Sequence, residues 1–70
     1  MQPLVFLQVG EEGMIRRVGG AEETRRFLAN LGFVENSPLQ VVSSSAGNMI
    51  INIKNSRVAL NKDMAKRIMV

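Results

Sequence analysis

The sequence predicts a mainly β protein, a small barrel of five to six short antiparallel strands with one inserted α-helix. The chain has 70 residues, and a chain of this length forms one domain that buries only about 60% of the surface exposed in its unfolded form. Apolar residues make up 46% of the sequence and charged residues 21%, the balance of a globular protein. Most segments are strand-like, and one has a helical period.

The first part of the chain is an apolar run followed by a turn and a strand. Residues 4–9 are mostly apolar, and the turn at residues 9–13 leads into residues 14–18, which we predict to form a strand. Gly19 and Gly20 then interrupt the strand pattern.

An amphipathic helix is predicted at about residues 22–31. Its apolar stripe has the spacing i, i+3, i+4, i+7 and consists of Thr24, Phe27, Leu28 and Leu31. Two glutamates occupy its first turn, where carboxylates suit the helix dipole. Gly32 can adopt the left-handed conformation that ends a helix. We expect the helix to pack through its Phe and Leu side chains.

The second half predicts a sheet that curls on itself. In order, it contains a strand at 39–43, a loop at 44–48, a hairpin of strands 49–54 and 57–60, a short helical turn at about 61–67 and a final short strand. Asn61 is the expected N-cap of the helical turn. Closing such a sheet into a barrel removes most of its exposed edges. We predict that residues 1–70 form a single domain.

Reactive side chains are scarce. The sequence has no Cys and no His, so it lacks a thiolate nucleophile, an imidazole base and ordinary zinc ligands. Its six carboxylates fall in predicted turns or first helical turns, and its glycines form neither a GxxxxGKS/T loop nor a GxGxxG fingerprint. We expect no enzymatic activity and no cofactor, and we assign no catalytic or metal-binding residue.

Charge and hydropathy limit the partners. The formal net charge is +3, with three Phe and neither Tyr nor Trp, and the cations are scattered in pairs along the chain. Nucleic-acid binders concentrate such charge and interleave aromatic residues, so we expect no nucleic acid. No secretory signal and no apolar run of about 18 residues is present. We expect a cytoplasmic protein without direct membrane insertion.

Four segments in this order resemble the FeoA family of bacterial ferrous-iron transport. They are "PLVFLQVGEEGMIRRVGG", "RRFLANLGF", "LQVV" and "RVALNKDMAKRIMV", and together they extend over nearly the whole chain. The family commonly has Pro-Gly after the "LGF" segment, whereas this chain has Glu35-Asn36 with Pro38 two positions later. Asn tolerates positive φ better than most residues, so the turn can be retained.

The resemblance implies an SH3-like barrel and an accessory role beside FeoB, a membrane transporter with a cytoplasmic G domain. We expect a protein-interaction module whose helix presents its polar flank. Leu28 is predicted to anchor that surface or its support, with Arg25, Arg26 and Phe33 nearby, whereas Leu31 is expected in the core. Without His or Cys, the chain is expected to bind ferrous iron weakly or not at all.

Two other functions remain open at this stage. One is the SH3-like domain appended to iron- or manganese-dependent repressors, although Met1 and the short length favour a free-standing module. The other is a small-barrel nucleic-acid binder, whose affinity would fall steeply with salt. Weak homo-oligomerisation and the pairing of edge strands into dimers are also left open by the sequence.

Overall fold

The computed structural model describes residues 1–70 and contains two antiparallel sheets around one core. After a 3-10 helical turn at Leu4–Phe6, the elements are β1 (Glu12–Met14), β2 (Arg17–Val18), α1 (Glu22–Asn30), β3 (Pro38–Ser45), β4 (Asn48–Ile53), β5 (Ser56–Asn61), α2 (Lys62–Ala65) and β6 (Ile68–Met69). One sheet has the order β1-β3-β4-β5, and the other pairs β2 with β6. The predicted fold class, mainly β with one inserted helix and a short helical turn, is confirmed.

The chain changes sheets between β1 and β2. Ile15 donates its N–H to the Ser37 carbonyl at 2.9 Å, next to β3, whereas Arg16 donates to the Met69 carbonyl in β6 at 2.7 Å. Ile15 is fully buried at this crossing. The prediction of one strand at residues 14–18 is therefore wrong, because the segment is divided between two sheets. This division allows a short chain to surround its own core.

Two tight hairpins connect β3, β4 and β5. Lys54 and Asn55 have φ of 51° and 62°, and positive φ at both central positions is the type I′ turn that matches the twist of paired strands. Between β3 and β4 the pairing continues to Ser45 opposite Asn48. The predicted loop at 44–48 is thus too long, since only two residues separate these strands.

The core consists of the inward faces of the strands together with side chains from both helices. β3 and β4 alternate as predicted, but the register shifts between Val41 and Ser43. A bulge at this point explains why Val42 interrupts the alternation. The buried apolar residues are Leu4, Leu7, Ile15, Leu28, Phe33, Leu39, Val41, Met49, Ile51, Ile53, Leu60, Ala65 and Ile68.

The short α2 begins at the predicted cap. The Asn61 side chain accepts a hydrogen bond from the Met64 N–H at 2.8 Å, which satisfies one of the free donors in the first helical turn. Neither α-helix has the length and the apolar composition that crossing a membrane requires.

Candidate partner-binding surface

The C-terminus of α1 forms a Schellman motif. The Gly32 N–H donates to the Ala29 carbonyl and the Phe33 N–H to the Leu28 carbonyl, both at 3.0 Å. Gly32 has a φ of +104°, which glycine adopts without the penalty of a side chain. An apolar contact between the residues at the positions of Leu28 and Phe33 commonly accompanies this motif. The backbone geometry therefore directs both of these side chains to the same interior region.

Leu28 and Phe33 are accordingly core residues. Their exposed fractions are 0% and 1%, so neither side chain can touch a partner in this conformation. An exposed Leu28 anchor is therefore not what the structure presents, and Phe33 does not lie on the surface as expected. The alternative role that we predicted for Leu28, support of the surface, is consistent with its burial.

Phe27, and not Leu28, is the exposed edge of the apolar stripe. Successive helical residues are rotated by about 100°, so Phe27 and Leu28 lie at opposite edges of the stripe. Leu28 is buried while Thr24 and Leu31 are partly buried, and Phe27 remains 51% exposed. The helix thus packs through a narrower face than predicted, because the motif at its C-terminus rotates Leu28 inward.

Arg25 and Arg26 lie on the solvent side of α1, next to Phe27 in sequence. The Arg26 guanidinium donates to Glu22 Oε1 at 3.0 Å, and both side chains are largely exposed. An exposed pair at this helical spacing contributes only about 0.3–0.5 kcal/mol, so a partner can displace it easily. Arg25 has no carboxylate within ion-pair distance. We call Arg25, Arg26 and Phe27 the α1 flank.

The α1 flank has no nucleophilic or acid–base side chain. It contains two permanent cations and one aromatic ring, which suit contact with an acidic and apolar surface. No group of three or more His, Cys, Asp or Glu side chains is arranged to hold a metal ion.

Comparisons with known proteins identify the family. The FeoA domain matches residues 2–70. The chain belongs to the FeoA domain family. One relative is a proposed Fe(2+) transport protein A of Methanocaldococcus jannaschii. It is 31% identical over 70 residues, which are 100% of this chain and 85% of that protein. The resemblance to FeoA seen in the sequence is confirmed.

Solved structures show the same fold. A crystal structure of an iron uptake regulatory protein, FeoA, has a TM-score of 0.90 at 30% identity, over 99% of this chain and 92% of that one. A zinc complex of Stenotrophomonas maltophilia FeoA, described as a prokaryotic SH3 domain protein, has a TM-score of 0.87 at 22% identity, over 100% and 89% of the two chains. The SH3-like barrel is confirmed.

The same fold also occurs in a larger regulatory protein. A manganese-dependent transcriptional repressor has a TM-score of 0.88 at 26% identity, over 96% of this chain and 38% of the repressor. The SH3-like fold is therefore shared by FeoA proteins and by part of this repressor.

Proposed function

We propose that this FeoA-family protein is a cytoplasmic accessory component of ferrous-iron transport that acts as a protein-interaction module on a FeoB-type membrane transporter with a G domain. Family membership and the transport role proposed by the name of the M. jannaschii relative support this assignment. The lack of Cys and His favours docking over catalysis or metal carriage.

The observation that carries the proposal is the exposed Phe27 on the α1 flank. Phe27 is half-exposed on the same helix as Arg25 and Arg26, and aromatic residues and Arg dominate the binding energy of interface hot spots. Leu28 and Phe33 support this surface from below, since their burial fixes the rotation and the end of α1. Arg25 and Arg26 supply the cations for an acidic partner surface.

A binding assay with a matched control tests the proposal. The transporter is purified in detergent, and its affinity for the wild-type protein, Phe27→Ala and Phe6→Ala is measured by biolayer interferometry. Phe6 is also exposed, at 67%, but lies in the opening 3-10 turn. We expect Phe27→Ala to weaken binding by about 2 kcal/mol, roughly 30-fold, and Phe6→Ala to leave it unchanged. Equal affinities for all three proteins would refute the assigned surface.

Two further measurements define the role. The rate of nucleotide hydrolysis by the transporter is measured with and without a saturating concentration of the module. Identical rates would exclude regulation of hydrolysis and leave assembly of the transporter complex as the role. Cells from which the transporter gene has been deleted are then fractionated. Recovery of the module only in the membrane fraction would contradict the cytoplasmic assignment.

A second candidate function is the regulatory domain of a metal-dependent repressor. The shared fold, at 26% identity with the manganese-dependent repressor, favours it, and the partner would then be a DNA-binding protein. Affinity purification from cells distinguishes the two candidates. Recovery of a manganese-responsive DNA-binding protein, without any transporter, would favour the repressor role.

A further inference from the structure

A cationic cleft lies where β2 and β6 meet the segment before α1. Its volume is about 320 Å³, and its lining residues are Met1, Arg17, Gly19, Gly20, Lys66, Arg67 and Met69. None of these residues carries a carboxylate side chain. The cleft includes none of the residues of the α1 flank, so it is a separate candidate site.

The two arginines of the cleft are placed by the β2–β6 pairing. Arg17 lies directly opposite Met69 in the register, while Arg67 precedes β6 and its carbonyl accepts the Gly19 N–H at 2.8 Å. The ion pairs of the protein are Arg26 with Glu22 and Lys66 with Asp63. Both guanidinium groups of the cleft therefore lack a carboxylate partner, although each has donors in a geometry that matches oxyanions.

Gly20 brings the backbone close to one of these groups. A Cβ atom at Gly20 would lie 3.0 Å from Cδ and 3.3 Å from one terminal nitrogen of Arg67, and its φ is +96°. A side chain is therefore disfavoured at this position by both space and conformation. The N–H groups of Gly20 and Ala21 donate to no backbone acceptor, and both residues are exposed. Gly20 and Arg67 both line the cleft.

Cations line the cleft. The chain has nine Lys and Arg and six Asp and Glu. Three of the cations line the cleft, and the remaining cations equal the carboxylates in number. Lys66 is paired with Asp63, so Arg17 and Arg67 are the two cleft cations without a carboxylate partner. A concave surface with charge of one sign raises the local concentration of counter-ions.

We propose that this cleft binds the phosphate group of a small phosphate-bearing molecule. Two guanidinium groups and an ammonium group supply more donors than one carboxylate can accept, whereas the several oxygens of a phosphate or diphosphate can use them. The pair between Lys66 and Asp63 measures 3.3 Å and is solvent-exposed, so it competes weakly with a dianion.

Titration with inorganic pyrophosphate, followed by amide NMR spectra, tests the proposal. We expect shifts at Gly19, Gly20 and the two cleft arginines, with saturation, at an ionic strength held constant with chloride. Arg17→Gln and Arg67→Gln are each expected to raise the Kd at least about tenfold, because each removes a charged hydrogen-bond donor. Arg57→Gln is the matched control, since Arg57 is also exposed and without a carboxylate partner; its Kd should stay within twofold.

Further titrations identify which kind of anion binds, and control spectra show whether the variants are folded. Arg67→Lys keeps the charge and loses the planar guanidinium, so its Kd should lie between those of the wild type and Arg67→Gln. Each variant must also keep the dispersed amide spectrum of the wild type, which shows that it is folded. A single-stranded DNA oligomer and a glutamate-rich peptide replace pyrophosphate in parallel titrations. The proposal is overturned if either binds more tightly than pyrophosphate, if shifts do not saturate, or if Arg57→Gln is as damaging as the cleft variants.

Discussion

Replacement of Leu28 by Ala tests whether this side chain supports the barrel or contacts a partner. The side chain is fully buried, and it lies at the position of the Schellman motif whose carbonyl accepts the Phe33 N–H at 3.0 Å. Truncation removes the buried methyl groups and leaves a cavity under α1. The expected loss in the free energy of unfolding is about 2–5 kcal/mol, the range for buried Leu→Ala changes.

This loss is large relative to the stability of the whole protein. At about 0.05–0.15 kcal/mol per residue, a chain of 70 residues has about 4–10 kcal/mol in total. A loss of about 3 kcal/mol lowers the Tm of a domain of this size by roughly 12–24 °C. Phe27→Ala removes a side chain that is 51% exposed, and should cost about 1 kcal/mol or less of stability.

Urea denaturation followed by far-UV circular dichroism measures both variants, and binding to the transporter is measured under conditions where each is folded. We expect Leu28→Ala to lose stability and to keep its affinity when folded, while Phe27→Ala keeps most of its stability and loses affinity. The reasoning would be refuted if Leu28→Ala unfolded at the wild-type urea concentration and yet failed to bind, since that is the behaviour of an exposed anchor.

Three other outcomes are expected. Gly32→Ala should lower the free energy of unfolding by about 1–3 kcal/mol, because the added Cβ would lie 2.9 Å from Lys54 Cγ. Gly47→Ala is the control in the same urea assay. Gly47 also has positive φ but has open space around it, so this substitution should lower the free energy of unfolding by less. Asn61→Ala should cost about 1 kcal/mol through loss of the bond to the Met64 N–H, and an unchanged Tm would contradict the cap. Anaerobic titration of the purified protein should show no stoichiometric micromolar Fe(II) binding; a saturable 1:1 calorimetric isotherm would disprove this.

Much of the fold could be predicted from the sequence because its local signals agree. Alternation predicted that β3 and β4 exist, although β3 extends to Ser45. The residues near Asn55 predicted a tight turn, and Asn61 predicted the start of α2. The signals failed where a tertiary contact decides the outcome. Residues 14–18 read as one strand, since nothing local shows that Ile15 leaves one sheet and that Arg16 joins another.

The candidate surface was only partly predictable. Periodicity placed Phe27 and Leu28 on one stripe, but it does not say which edge of the stripe faces the barrel. The signal that could have decided this was present, because Gly32 followed by Phe33 is the sequence pattern of a Schellman motif, and its apolar contact makes Leu28 the inward residue. The cationic cleft gave no such signal, since Arg17 and Arg67 are brought together only by the pairing of β2 with β6.

Exposure alone does not make Phe27 a binding residue, because Phe6 is more exposed and single apolar residues on a surface are common. What distinguishes Phe27 is its setting. It stands on a helix whose C-terminus is held by two backbone hydrogen bonds, so the backbone that carries it is already ordered before binding. Two arginines precede it in α1, whereas residues 1–15, which include Phe6, contain no Lys or Arg. Helix propensity gives position 27 no reason to hold an aromatic residue, since Ala, Glu or Lys would favour the helix more. The rigid setting and the neighbouring cations are therefore the reasons to expect binding at α1 and not at the opening turn.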